Sequence, residues 1–83
     1  MRRLYISAVV LLLSSSIYAQ NKDTKDADKL FDRLEYVDAA HAYTKLVDKG
    51  KADAYVYKQL GDCYYNVFNT KEAVIWYAKA LES

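Results

Sequence analysis

After the first twenty residues, apolar side chains recur at intervals of three and four rather than two, which is the period of helices and not of strands. Ala27, Leu30, Phe31 and Leu34 make one apolar stripe, with Asp23 or Thr24 placed to cap its start. The stripe loses phase around Glu35 and Tyr36. Asp38 then caps or opens a second helix bearing Ala39, Ala40, Tyr43 and Val47. Lys49-Gly50-Lys51 stops that helix, with Gly50 as the left-handed residue. A third helix is predicted from Asp53 to Asn66, with Tyr57, Leu60, Gly61, Tyr64 and Phe68 on one side. Asn69 and Thr70 turn the chain into a fourth helix carrying Ala73, Val74, Tyr77, Ala80 and Leu81. The expectation is an all-α protein built from antiparallel helix pairs.

The beginning of the chain has a different pattern. Arg2 and Arg3 are followed by an apolar run, Leu4 to Leu13, broken only by Ser7, and then by Ser14 to Ser16 and Ile17-Tyr18-Ala19. A cationic start, a short apolar stretch and a small residue before Gln20 are the layout of a secretory signal peptide over residues 1–19. The run is too short for a transmembrane helix, which needs roughly 18 or more apolar residues. No cysteine follows it to carry a lipid anchor. Cleavage after Ala19 would leave 64 of the 83 residues and remove two of 12 basic side chains, so that 10 face 11 acids. A near-neutral chain has no general field to gather nucleic acid or an anionic membrane surface. Cys63 is the sole cysteine, so no internal disulfide can staple a domain this small.

The two halves of the remaining chain are similar to one another. Moving back by 34 positions takes Ala73 to Ala39, Tyr77 to Tyr43, Lys79 to Lys45, Gly61 to Ala27, Tyr64 to Leu30 and Tyr65 to Phe31. A glycine inside a helix costs about 1 kcal/mol relative to alanine, so Gly61 needs a reason, and the close approach of two helices supplies one. Counted with Ala54 as the first of 34 positions, Tyr57, Leu60, Gly61, Tyr64, Ala73, Tyr77 and Ala80 stand at 4, 7, 8, 11, 20, 24 and 27. That order of large, Leu, Gly, Tyr, Ala, aromatic and Ala resembles the tetratricopeptide (TPR) repeat. The resemblance implies a TPR-type α-solenoid of about two repeats. Residues 20–52 form an atypical N-terminal repeat, with Asp23 and Asp26 where bulky apolar residues belong. Residues 53–83 form a second, incomplete repeat, so the chain reads as a piece of a longer protein.

Catalytic chemistry finds little support in these residues. His41 is the only histidine and has Lys45, not a second ligand, four residues on; it reads as a surface or packing residue. Cys63, with no CxxC partner, reads as a buried small hydrophobe. Metalloprotease, phosphate-loop and nucleophile-elbow motifs are missing. Asp26, Asp28 and Asp32, interleaved with Lys25, Lys29 and Arg33, are expected to form solvated ion pairs. The expectation is a protein that is not an enzyme, with no cofactor and no metal.

The family resemblance also implies where a partner would sit. In TPR proteins the concave groove is lined by one face of the first helix of each repeat. Here that face holds Tyr55, Lys58, Asp62, Tyr65 and Asn66 in the second repeat, and Asp28, Phe31 and Asp32 in the first. Tyr55 and Tyr65, not claimed by the repeat's own core, are the aromatic candidates for peptide contact. Asp62 and Asp28 stand where TPRs that clamp a carboxylate tail carry asparagine, so that specificity is not expected. The signal ending Ile-Tyr-Ala-Gln, Ala27-Asp28-Lys29-Leu30-Phe31-Asp32 and Tyr36-Val37-Asp38-Ala39-Ala40 together resemble the N-terminus of Bacteroidetes OmpA-family outer-membrane proteins. There a TPR segment precedes a β-propeller-like region and a peptidoglycan-binding domain, neither of which is in this chain. This resemblance implies an exported scaffold that binds a protein or peptide partner in the periplasm or at the outer membrane. Self-association through the last helix is also expected. The alternative is a docking arm for a periplasmic enzyme whose catalytic domain lies elsewhere.

Overall fold

A computed structural model describes residues 23–83. The expected signal peptide, 1–19, lies outside them. The described residues are all-helical: α1 (Lys25–Asp32), α2 (Tyr36–Asp48), α3 (Ala54–Asn66) and α4 (Thr70–Glu82). Each helix packs chiefly on its neighbour in the chain, α1 on α2, α2 on α3 and α3 on α4.

Local chemistry explains most of the boundaries. Asp53 has an extended backbone before α3, and its Oδ1 accepts the Val56 amide at 3.1 Å. Asn69 does the same for Glu72 at 3.2 Å at the start of α4, satisfying one of the amides a helix leaves open. Thr24 holds the capping position of α1, where its side chain makes no cap bond; Asp26 and Asp28 in the first turn suit the positive end of the helix. Helix α2 begins at Tyr36 with Glu35 before it, so Asp38 lies within the first turn and is neither its cap nor its start.

The chain reverses after α1, α2 and α3 by one device. Leu34, Gly50 and Phe68 are left-handed, with φ of 65°, 72° and 64°. The Leu34 amide bonds to the Phe31 carbonyl and the Glu35 amide to Leu30; Gly50 and Lys51 bond in the same way to Val47 and Leu46, and Phe68 and Asn69 to Tyr65 and Tyr64. These paired bonds form a Schellman cap. Gly50 is the left-handed stop that its place in the sequence predicts. Leu34 and Phe68 do not belong to the apolar stripes: they are 69% and 91% exposed. A residue that turns the chain with positive φ is carried off the helix face, whatever its place in the apolar period.

The core joins Ala27 of α1, Ala39, Ala40, Tyr43 and Leu46 of α2, and Val56, Leu60 and Cys63 of α3. Ala73 is buried on α4. Gly61 is placed where α3 meets α4: a Cβ built there would lie 2.4 Å from Cε1 and 2.9 Å from Cγ of Tyr77. Tyr77 therefore covers Gly61 and is not part of an open patch. Trp76 stacks on Tyr57, ring centroids 6.0 Å apart, and also packs against the core.

The contact at Gly61 and the left-handed turns can each be tested. Gly61→Ala should destabilise the fold by about 1–3 kcal/mol through overpacking, despite alanine's advantage of about 1 kcal/mol in helix propensity. In chemical denaturation the added Tyr77→Ala change should remove most of that loss; undiminished stability for Gly61→Ala alone would overturn the contact. Leu34→Gly and Phe68→Gly should each stabilise by about 1 kcal/mol, since an L side chain in the left-handed region costs about that much and these exposed side chains contribute little packing. A drop in thermal midpoint for both would contradict that account.

Candidate functional site

A connected set of polar side chains crosses all four helices. Asp28 on α1 is buried, yet it is a carboxylate. Its Oδ1 accepts the Tyr43 hydroxyl from α2 and, at 2.7 Å, the Tyr55 hydroxyl from α3. Gln59 Nε2 donates to the Tyr43 oxygen at 3.1 Å, and Lys58 Nζ lies 3.4 Å from Gln59 Oε1. Lys58 also pairs with Asp62 Oδ2 at 2.9 Å, and Asp62 Oδ1 accepts the Tyr77 hydroxyl from α4. A buried carboxylate is costly unless donors reach it. Two phenols meet that cost at Asp28, whose Oδ2 has no hydrogen-bond partner among the described residues.

The seam repeats. Tyr43 to Asp28 and Tyr77 to Asp62 are the same bond displaced by 34 residues. The left-handed Leu34 and Phe68, with their paired cap bonds, are displaced by the same amount. So are the Ala39 amide to Glu35 carbonyl bond and the Ala73 to Asn69 bond.

The structure redistributes the groove candidates. Tyr55, expected to be free of the core, is half-buried against it and held by Asp28. Asp28 is interior and not a solvated ion-pair member, and Phe31 packs edge-on against Tyr36 and Tyr43, with centroids 5.4 and 6.5 Å away. In the first half only Asp32 of that set is exposed. Lys58 and Asp62 satisfy each other, and Asn66 Nδ2 donates to the Asp62 carbonyl at 2.7 Å. Tyr65 is exposed. The open part of the face is thus Tyr65, Asn66 and the outer side of Lys58. A peptide carboxylate reaching for Lys58 would have to displace Asp62. Gln59 is a member of the seam that the apolar pattern does not single out; its position four residues after Tyr55 and next to Leu60 is the only signal for it. His41 is exposed.

Of the signature residues, Leu60, Gly61 and Ala73 are buried, while Tyr57, Tyr64, Tyr77 and Ala80 are half-buried. Burial, reinforced by the charge of Asp62, pushes the Cys63 thiol up to about 12, which leaves it a poor nucleophile. Burial also raises the Tyr64 phenol. Among the described residues no cluster of His, Cys, Asp and Glu could hold a metal ion, and no helix is long and apolar enough to cross a membrane. Compared with protein-family models, curated proteins and solved structures, the chain gives no significant match.

The phenols of the seam hold their protons more firmly than ordinary tyrosines. Burial and the bond to Asp28 raise Tyr43, and burial followed by the bond to Asp62 raises Tyr77 to about 12. In the unfolded chain tyrosines lose their protons near pH 10. Stability from this source is complete below about pH 10 and falls as pH rises toward 12, because the unfolded chain then binds fewer protons than the folded one. Thermal melts across that window should show the loss, with Tyr77→Phe losing less of its own stability than the parent. Parallel curves for the two proteins would show that the Tyr77 hydroxyl is not engaged.

Proposed function

We propose that this chain is an exported, non-enzymatic helical-repeat scaffold of the TPR type, which binds a protein partner in the cell envelope as the front part of an OmpA-family outer-membrane protein. The observation that carries the repeat reading is the recurrence, at 34 residues, of the tyrosine–carboxylate bond and of the left-handed helix stop. A period of 34 in paired helices is the period of the TPR unit. Export is supported by the order of charged, apolar and small residues before Gln20. The partner-binding surface in this reading is the outer side of α3, where Tyr65 offers a large rigid contact area and Lys58 and Asn66 flank it.

Two measurements test the reading separately. Expressed in its host with a C-terminal tag, the protein should appear in the envelope fraction with Gln20 as its first residue. An uncleaved cytoplasmic product would overturn export. Crosslinking from Tyr65, replaced by a photoreactive phenylalanine analogue, should trap an envelope protein, and Lys58→Glu should reduce the yield severalfold. Crosslinks only to the chain's own residues would sink the assignment of this face.

A further inference from the structure

The internal repeat supplies a template for a second surface, independent of where the chain is exported. In the first half, α2 is covered by α3. Val56, Leu60 and Cys63 join Ala40, Tyr43 and Leu46 in one buried cluster, Tyr55 donates to Asp28, and Gln59 donates to Tyr43. Moving 34 residues on, α4 presents the equivalent face with nothing over it. Ala40 is 5% exposed but its counterpart Val74 is 65%; Val47 is half-buried but its counterpart Leu81 is 89% exposed. Side-chain sizes differ between the two faces, but both remain apolar. The polar receptors are repeated too. Asp62 Oδ1 holds one phenol, Tyr77, where Asp28 Oδ1 holds two.

We propose that the α4 face, with Asp62 at its margin, is a docking site for a partner helix of α3-like chemistry. The occupant carries a phenol at one position and a carboxamide four residues later, each followed immediately by an apolar residue, as Tyr55-Val56 and Gln59-Leu60 do. The phenol donates to Asp62 Oδ1 and the carboxamide to the Tyr77 oxygen, while the apolar pair covers Val74 and Leu81. A second copy of this chain cannot supply that helix through α1. The residues 34 positions before Gln59, Leu60 and Cys63 are Lys25, Asp26 and Lys29, all exposed. Burying those charges against Val74 would be opposed by their desolvation. Nor does pairing α4 with α4 of a second copy bring a phenol to Asp62 as Tyr55 comes to Asp28.

The test uses the purified chain and a fluorescein-labelled, stapled helical peptide of residues 53–67, read by anisotropy. Saturable binding is expected. Tyr55→Phe in the peptide should weaken it about tenfold, the scale of a hydrogen bond to a charged group. Asp62→Asn in the chain should weaken the Tyr peptide similarly and leave the Phe peptide unchanged. Val74→Glu, at an exposed position that the chain's own fold does not use, should abolish binding of both; circular dichroism checks that it stays folded. If Asp62→Asn unfolds the chain, the Tyr–Phe comparison and Val74→Glu decide. The proposal is overturned by no saturable binding, by equal affinity of the two peptides, or by binding indifferent to Val74→Glu. It is equally overturned if sedimentation shows a dimer that Val74→Glu dissolves and the peptide does not compete with, since a second copy would then cover the face.

Discussion

The bond from Tyr43 to Asp28 ties together three helices, because the carboxylate stands on α1, its first phenol on α2 and its second, Tyr55, on α3. Each member is in place only if the others are. Asp28 without donors would be a desolvated charge. Tyr43, with no exposed surface, must find an acceptor for its hydroxyl. Gln59, also buried, finds its acceptor in the Tyr43 oxygen. Around this bond the apolar core is small, made largely of alanines with Leu46, Val56 and Leu60. In so short a chain, alanine packing lets helices approach closely while the polar seam fixes which residue faces which.

The same bond in the second half stands in another environment. Tyr77 covers Gly61 and reaches Asp62, but neither is fully enclosed, and Lys58 takes the remaining carboxylate oxygen. An ion pair this exposed contributes little to stability. The second carboxylate is therefore held from within its own helix pair, and the first by helices on both sides. That difference explains why two sequence-equivalent aspartates have unlike surroundings. It also explains why the lysine beside the second is not a free cation awaiting an anionic ligand.

Much of the fold could be read along the chain. Four helices, the stop at Gly50, the cap at Asp53 and the small residue at Gly61 all depend on properties of a few consecutive residues: helical period, a left-handed glycine, a short acceptor side chain, a missing Cβ. The 34-residue similarity is visible in the same way. The start of the second helix is not: Asp38 is a good cap and draws the boundary two residues late, whereas the turn at Leu34 has already closed the preceding helix.

What the sequence alone determined is the helical class, the period and the sites of closest approach, since these depend on local geometry repeated every turn. Only the tertiary structure decided which polar residues go inside. Asp28 lies among lysines and acids in sequence and reads as a solvated charge; it is interior because hydroxyls 15 and 27 residues away converge on it. Tyr55 is lost to the groove for the same reason. Leu34 and Phe68 keep the helical period yet stand in solvent, because a left-handed turn redirects the side chain. Burial of a charge is settled by which distant donors arrive, and that information is spread over the whole chain rather than written at the residue itself.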